Sequence, residues 1–213
     1  MNNNKLLRTA LILSLITIVY NVAEGIVSVF FGAEDDALSL LGFGIDSFVE
    51  VISGLGIAHM VMRMRYGKIE QRDTFERTAL RITGTGFYLL AAGLIAGAVV
   101  NIVQGHKPIT TTPGIIISSL SIATMWFLLQ AKLKVGKALN SDAIIADANC
   151  TRSCFYLSII LLLASGLYEW LQIGYIDIIG ALAIAWFAFS EGRESFQKAK
   201  SQDLSCCCSG DCD

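Results

Sequence analysis

Six apolar runs, each long enough to cross a bilayer, take up most of this chain. They extend from about Leu6 to Phe31, Leu38 to Met62, Thr78 to Val103, Pro113 to Leu133, Ala143 to Leu171 and Ile176 to Phe196. Each supplies the roughly 20 residues a helix needs to cross the hydrocarbon. Of the 213 residues, 54% are hydrophobic, and the mean hydropathy is +0.60. Soluble domains have a lower apolar share. The expected fold is an all-α membrane protein, a six-transmembrane-helix bundle. Residues 1–200 form one transporter-like domain, and 201–213 are left as a flexible tail. The first run lacks a small-residue cleavage site and is longer than a signal-peptide core, so it is read as a retained helix.

Lysine and arginine give the expected orientation. Both ends and the second and fourth connections collect Lys5, Arg8, Arg63, Arg65, Lys68, Arg72, Lys132, Lys134, Lys137 and Lys198 among others. The opposite side has Lys107 and the acids Glu34, Asp35, Asp36 and Asp177. The positive-inside rule then predicts both termini in the cytosol. The location implied is a multi-pass position in a membrane, the cell membrane first. Trp170 suits an aromatic belt, and Trp126 and Trp186 read as lipid-facing or packed bulk. Gly93 and Gly97 fit the small-xxx-small spacing that lets helix backbones approach.

Within the second run, Asp46 and Glu50 interrupt an otherwise apolar sequence, spaced i and i+4. That spacing puts both on one helix face, one turn apart. A carboxylate near a bilayer centre costs roughly 2.5–3.5 kcal/mol on the translocon scale, so such residues mark functional sites by default. Cys150 and Cys154 repeat the spacing at the head of the fifth run. Two carboxylates and two thiols can make a four-ligand metal site. Thiolate suits Zn²⁺, Cd²⁺ and similar soft ions, and tetrahedral coordination by Cys and carboxylate is ordinary for Zn²⁺. Such ligands shed protons when metal binds. Exchange of metal for protons at one site is the elementary step of an antiporter. For the acids the alternative is a polar contact between helices. For the thiols it is packing as small hydrophobes.

The run Tyr20 to Gly32, YNVAEGIVSVFFG, followed by ALSLLGFGIDSFVEVISGL, resembles the first two helices of cation diffusion facilitators. In that family an acidic or His/Asp stripe on the second helix meets an HxxxD stripe on the fifth, and the two bind Zn²⁺. Here Asp46 and Glu50 match the first stripe. The fifth run reads Ala146–Asp147–Ala148–Asn149–Cys150–Thr151–Arg152–Ser153–Cys154, so Cys150 falls on the family's His and Cys154 on its Asp. The likeness covers roughly residues 6–200 and includes the six-helix layout. The family usually carries a cytosolic, dimerising, metallochaperone-like domain. Only a short tail follows Lys200 here, so a reduced form is expected.

Other residues take secondary places. Asn21, Glu24 and Asp147 are candidates for a second shell or proton path, with a plain helix–helix hydrogen bond as the alternative for the first two. Asp142 favours the start of the fifth helix electrostatically. His59 and His106 are read as interfacial. The tail holds Cys206, Cys207, Cys208 and Cys212, on the expected cytosolic side. Clustered thiols there point to metal or redox chemistry rather than disulfides. They suit a metal-collecting arm, with S-acylation or no role as alternatives. No phosphate-cradling glycine loop is followed by lysine, and no nucleophile stands beside a base. An enzyme and an ATP-driven pump are therefore not expected. The basic connection from Arg63 to Arg81 is explained by topology and lipid, so nucleic acid is not implied. The function expected is proton-coupled efflux of a Zn- or Cd-like divalent ion, with no resident cofactor. The expected partners are the ion, protons, the bilayer and a second copy of the chain. The alternatives are a metal sensor or buffer that does not transport, and a carrier of small organic cations.

Overall fold

Each apolar run folds as one helix, longer at most ends than the run itself. The computed structural model describes residues 3–66, 74–105, 107–109 and 111–200. The helices are α1 (Asn3–Glu34), α2 (Leu38–Tyr66), α3 (Thr74–Gln104), α4 (Thr112–Leu139), α5 (Asp142–Leu171) and α6 (Tyr175–Lys200). Among the described residues there is no strand. All six helices are long and apolar enough to cross a membrane. Large apolar side chains cover the outside, among them Val19, Leu89, Phe127 and Trp186. Such a surface belongs in lipid, and the chain is a multi-pass integral membrane protein. Trp126, Trp170 and Trp186 all lie on this outer face.

Three pairings dominate the packing: α1 with α2, α3 with α6, and α4 with α5. The α1–α2 pair is the tightest, and glycine makes it so. A Cβ on Gly32 would stand 2.5 Å from the Leu41 nitrogen, and one on Gly44 would stand 2.7 Å from the Val29 nitrogen. No side chain can be added there without moving backbone. The small-residue pair Gly93 and Gly97 behaves differently from its sequence expectation. A Cβ on Gly93 would meet nothing within 4 Å, and one on Gly97 would meet only the Leu38 side chain, at 3.0 Å. Closer approaches are at Gly32 and Gly44 between α1 and α2, at Gly180 of α6 against Ala164 of α5, and at Gly114 of α4 against Ser165 of α5.

The α4–α5 turn is short. Asn140 closes α4 in the left-handed region, φ 49°, a conformation Asn tolerates better than most residues. The Ser141 amide returns to the Gly136 carbonyl at 3.1 Å. This turn sets α4 and α5 antiparallel and leaves Asp142 as the first residue of α5. At the other end of the bundle Asp177 of α6 is buried beneath the start of α2. It accepts hydrogen bonds from the Leu38 amide at 2.9 Å, the Ser39 amide at 3.2 Å and the Ser39 hydroxyl. A remote carboxylate thus satisfies amides that a helix start leaves open.

Two apolar clusters flank the middle of the bundle. One is built from Leu40, Phe43, Leu90, Leu94, Leu161 and Ile184. The other contains Leu6, Leu13, Val61, Met125, Leu128 and Ile144. Between them lie buried polar groups contributed by α1, α2, α4 and α5.

Candidate functional site

The polar groups begin with a stripe on α1. Ser14, Thr17, Asn21, Glu24 and Ser28 recur every three or four residues, and all five are buried. In a 3.6-residue helix that spacing defines one face. Because α1 and α2 run antiparallel at close range, Asn21 comes level with Glu50 and Glu24 with Ser47. The Asn21 side-chain amide donates to Glu50 Oε2 at 3.1 Å. The Ser47 hydroxyl lies 3.2 Å from Glu24 Oε2.

Across from α2, α5 presents its thiols. Cys154 is buried and its Sγ donates to Glu50 Oε2, so the two helices meet through this pair. The same thiol lies 3.6 Å from the Cys150 carbonyl oxygen. Cys150 is half-buried. A cavity of about 40 Å³ opens here, bordered by Asn21, Glu50, Asp147, Cys150, Cys154 and Glu191 among others. That volume is large enough to admit water. Asp46 is 2% exposed and lies one turn along α2 from Glu50, outside the cavity lining. One of its carboxylate oxygens has no hydrogen-bond partner among the described residues. Three of the four residues expected to hold an ion therefore border one cavity, and Asp46 stands behind them. Among the described residues, no three His, Cys, Asp or Glu side chains converge as a ready metal cage. The reason is local: Glu50 is turned onto a thiol and an amide, and Asp46 stands one turn earlier on α2, outside the cavity lining.

Asp147 sits one turn before Thr151 and lines the same cavity. It is committed to an ion pair, Lys132 Nζ to Oδ1 at 2.8 Å, and accepts the Ser14 hydroxyl at 2.9 Å. Lys132 also donates to the Thr151 hydroxyl at 2.9 Å. Sequence reasoning counted Lys132 as a topological charge. In the fold it is 1% exposed and belongs to the site's surroundings. Glu191 was missed altogether. It lines the cavity from α6 and accepts the Ser153 hydroxyl at 2.8 Å. A signal was present: Ile184, Ala188, Glu191 and Ser195 follow the three-and-four spacing of one helix face. His59 packs against the Phe75 ring, with centroids 4.6 Å apart, away from the cavity. His106, and the tail with Cys206, Cys207, Cys208 and Cys212, lie outside the described residues.

What this arrangement can do follows from its donors. Oxygen and sulfur face each other across α2 and α5, in a space of ionic size, with a hydrogen bond between them. Both atoms can become metal ligands once deprotonated.

No family model matches the chain. A protein of Methanocaldococcus jannaschii (strain ATCC 43067 / DSM 2661 / JAL-1 / JCM 10045 / NBRC 100440), named as an uncharacterized transporter, is similar to it. The two are 27% identical over 179 residues, which cover 80% of this chain and 62% of the relative. The match thus spans less than two thirds of the relative's own length.

Proposed function

We propose that this protein is a membrane transporter of cation-diffusion-facilitator type, which moves a divalent, thiophilic metal ion out of the cytosol in exchange for protons. The transporter name of its relative supports the general class. The observation that carries the metal reading is the meeting of Glu50 and Cys154 across α2 and α5, with Cys150 on the same cavity.

The Cys154 thiol proton lies against the Glu50 carboxylate. A divalent ion that takes both atoms as ligands displaces that proton. Cys150, half-buried on the cavity wall, supplies a second sulfur. Asp46 reaches the ion after a small rotation of α2, since it shares the face of Glu50. Two carboxylates and two thiolates complete a tetrahedral set suited to Zn²⁺ or Cd²⁺. The sign of the coupling is fixed by competition. Acid on the metal-loaded side opposes binding, and acid on the other side drives release.

The test is flux of Zn²⁺ and Cd²⁺ in proteoliposomes under an imposed pH gradient. Flux of either ion that grows with the gradient is expected. Glu50→Gln preserves volume and removes charge, so flux falls to the protein-free leak and its pH dependence disappears. Metal binding without flux assigns a sensor or buffer instead. Flux of organic cations that survives loss of both membrane thiols assigns the organic-cation carrier.

A further inference from the structure

The cavity reaches from the Glu50–Cys154 contact toward the end of the bundle that carries the termini. Ile57 of α2, Leu80 of α3 and Lys198 of α6 border it on that side. Glu191 borders it too, about two turns before Lys198 on α6. The Ser153 hydroxyl donates to Glu191 Oε1 at 2.8 Å. Ser153 is the neighbour of Cys154 and stands three residues from Cys150, a spacing that puts side chains side by side on a helix. The hydrogen bond therefore holds the Glu191 carboxylate within about one helical turn of both thiols.

Among the described residues three carboxylates border this cavity: Glu50, Asp147 and Glu191. Asp147 is held by the Lys132 ammonium and the Ser14 hydroxyl. Glu50 is held by the Asn21 amide and the Cys154 thiol. Glu191 has only the neutral Ser153 hydroxyl, on one oxygen; among the described residues its Oε2 accepts no hydrogen bond and it forms no ion pair. The cation at the cavity edge, Lys198, is paired with Glu194 at 2.6 Å. Arg152 does not border the cavity. A carboxylate set inside a membrane bundle without its own cation is costly, and such residues are functional by default.

We infer that Glu191 is a metal ligand of the loading step: with Cys150 it receives a thiophilic divalent ion from the Lys198 end and hands it to Glu50 and Cys154. The inference rests on the thiol-metal reading. Cys150 is half-buried and lies one turn nearer the start of α5 than Cys154. An ion from the terminal end thus meets Glu191 and Cys150 while Glu50 and Cys154 are still bonded to each other. Zn²⁺ and Cd²⁺ accept carboxylate and thiolate together, and water fills the remaining positions. The Cys150 proton leaves at loading and the Cys154 proton at hand-over. Asp46, outside the cavity lining, takes no part in loading.

The experiment titrates Cd²⁺ into the full chain in detergent and reads the Cd²⁺–thiolate absorption. Cys206, Cys207, Cys208 and Cys212 are changed to Ser, so that the two membrane thiols alone report. Cd²⁺ flux in proteoliposomes is measured in the same background. Glu191→Gln is expected to raise the half-saturating Cd²⁺ concentration by about tenfold or more in both, since even losing a group that only supports a ligand costs that much. Saturating absorption and maximal flux persist, which shows that the variant folds with its thiols in place. Ser153→Ala keeps the charge and is expected to weaken binding by a few fold, the scale of one hydrogen bond. Glu194→Gln removes the same charge outside the cavity lining and is expected to bind as the wild type does. Half-saturation at the wild-type value in Glu191→Gln, or in Ser153→Ala should Glu191→Gln not fold, overturns the inference. So does equal weakening by Glu194→Gln, which assigns the effect to the charge of α6 and not to ligation. A background chain that neither shows the Cd²⁺ absorption nor carries Cd²⁺ sinks the thiol-metal reading and this inference with it. One that does both, with Glu191→Gln indifferent, sinks this inference alone.

Discussion

Under the proposed function, Cys150 and Cys154 set which ion the cavity prefers, because exchanging sulfur for N/O ligands moves a site along the softness scale. Cys150→His with Cys154→Asp is expected to shift flux from Cd²⁺ toward Zn²⁺ in a two-ion competition. An unchanged ion order would remove the thiols from the ligand set. Lys132 makes a separate prediction about stability. Its ammonium is fully enclosed beside Asp147. Lys132→Ala leaves an unpaired buried carboxylate and is expected to cost about 3–5 kcal/mol. Lys132→Met with Asp147→Leu restores most of that, because a well-packed apolar pair replaces a buried ion pair without large loss. Thermal unfolding of the two variants checks both statements. If the single variant melts with the wild type, the pair contributes little to the fold.

At the scale of elements, sequence spacing was informative where burial follows a helix period. Six runs of apolar residues became six helices, because a bilayer-length apolar segment has few other options. Two i, i+4 pairs marked one face of α2 and one of α5, and the fold brings Glu50 and Cys154 of those faces together. What stayed hidden depends on which helix each face meets. The α1 stripe from Ser14 to Ser28 was visible as a period, but Ser and Thr are unremarkable in membrane helices. Lys132 and Glu191 lie near the ends of apolar runs, where charges ordinarily reach for the interface. Only the packing of α4 on α5, and of α6 across α2, encloses them. The glycines show the same limit. Gly93→Ala is expected to be neutral or to stabilise by up to about 1 kcal/mol, from helix propensity in open space. Gly44→Ala puts a methyl against the α1 backbone and is expected to cost about 1–3 kcal/mol. Equal melting temperatures for the two variants would show that α1 and α2 separate more easily than this packing allows.

For the whole molecule, sidedness decides what transport would mean. Six antiparallel spans put the two chain termini on one side, whichever side that is. The Glu50–Cys154 cavity is bordered by Lys198 of α6 and by Asp147, close to the start of α5. It therefore lies toward the end that carries both termini. Asp177, Glu34 and Lys107 lie toward the other end. If lysine and arginine orient the chain as the positive-inside rule requires, the cavity opens nearer the cytosol, as an exporter's loading site must. Single cysteines in a background without native cysteines test this. Glu34→Cys, at the end of α1, and Ala138→Cys, in the last turn of α4, both replace exposed residues at opposite ends. A membrane-impermeant maleimide added to intact cells is expected to label Glu34→Cys alone, and Ala138→Cys only after permeabilisation. The reverse pattern would put the cavity on the outside and make uptake, not efflux, the direction its position favours.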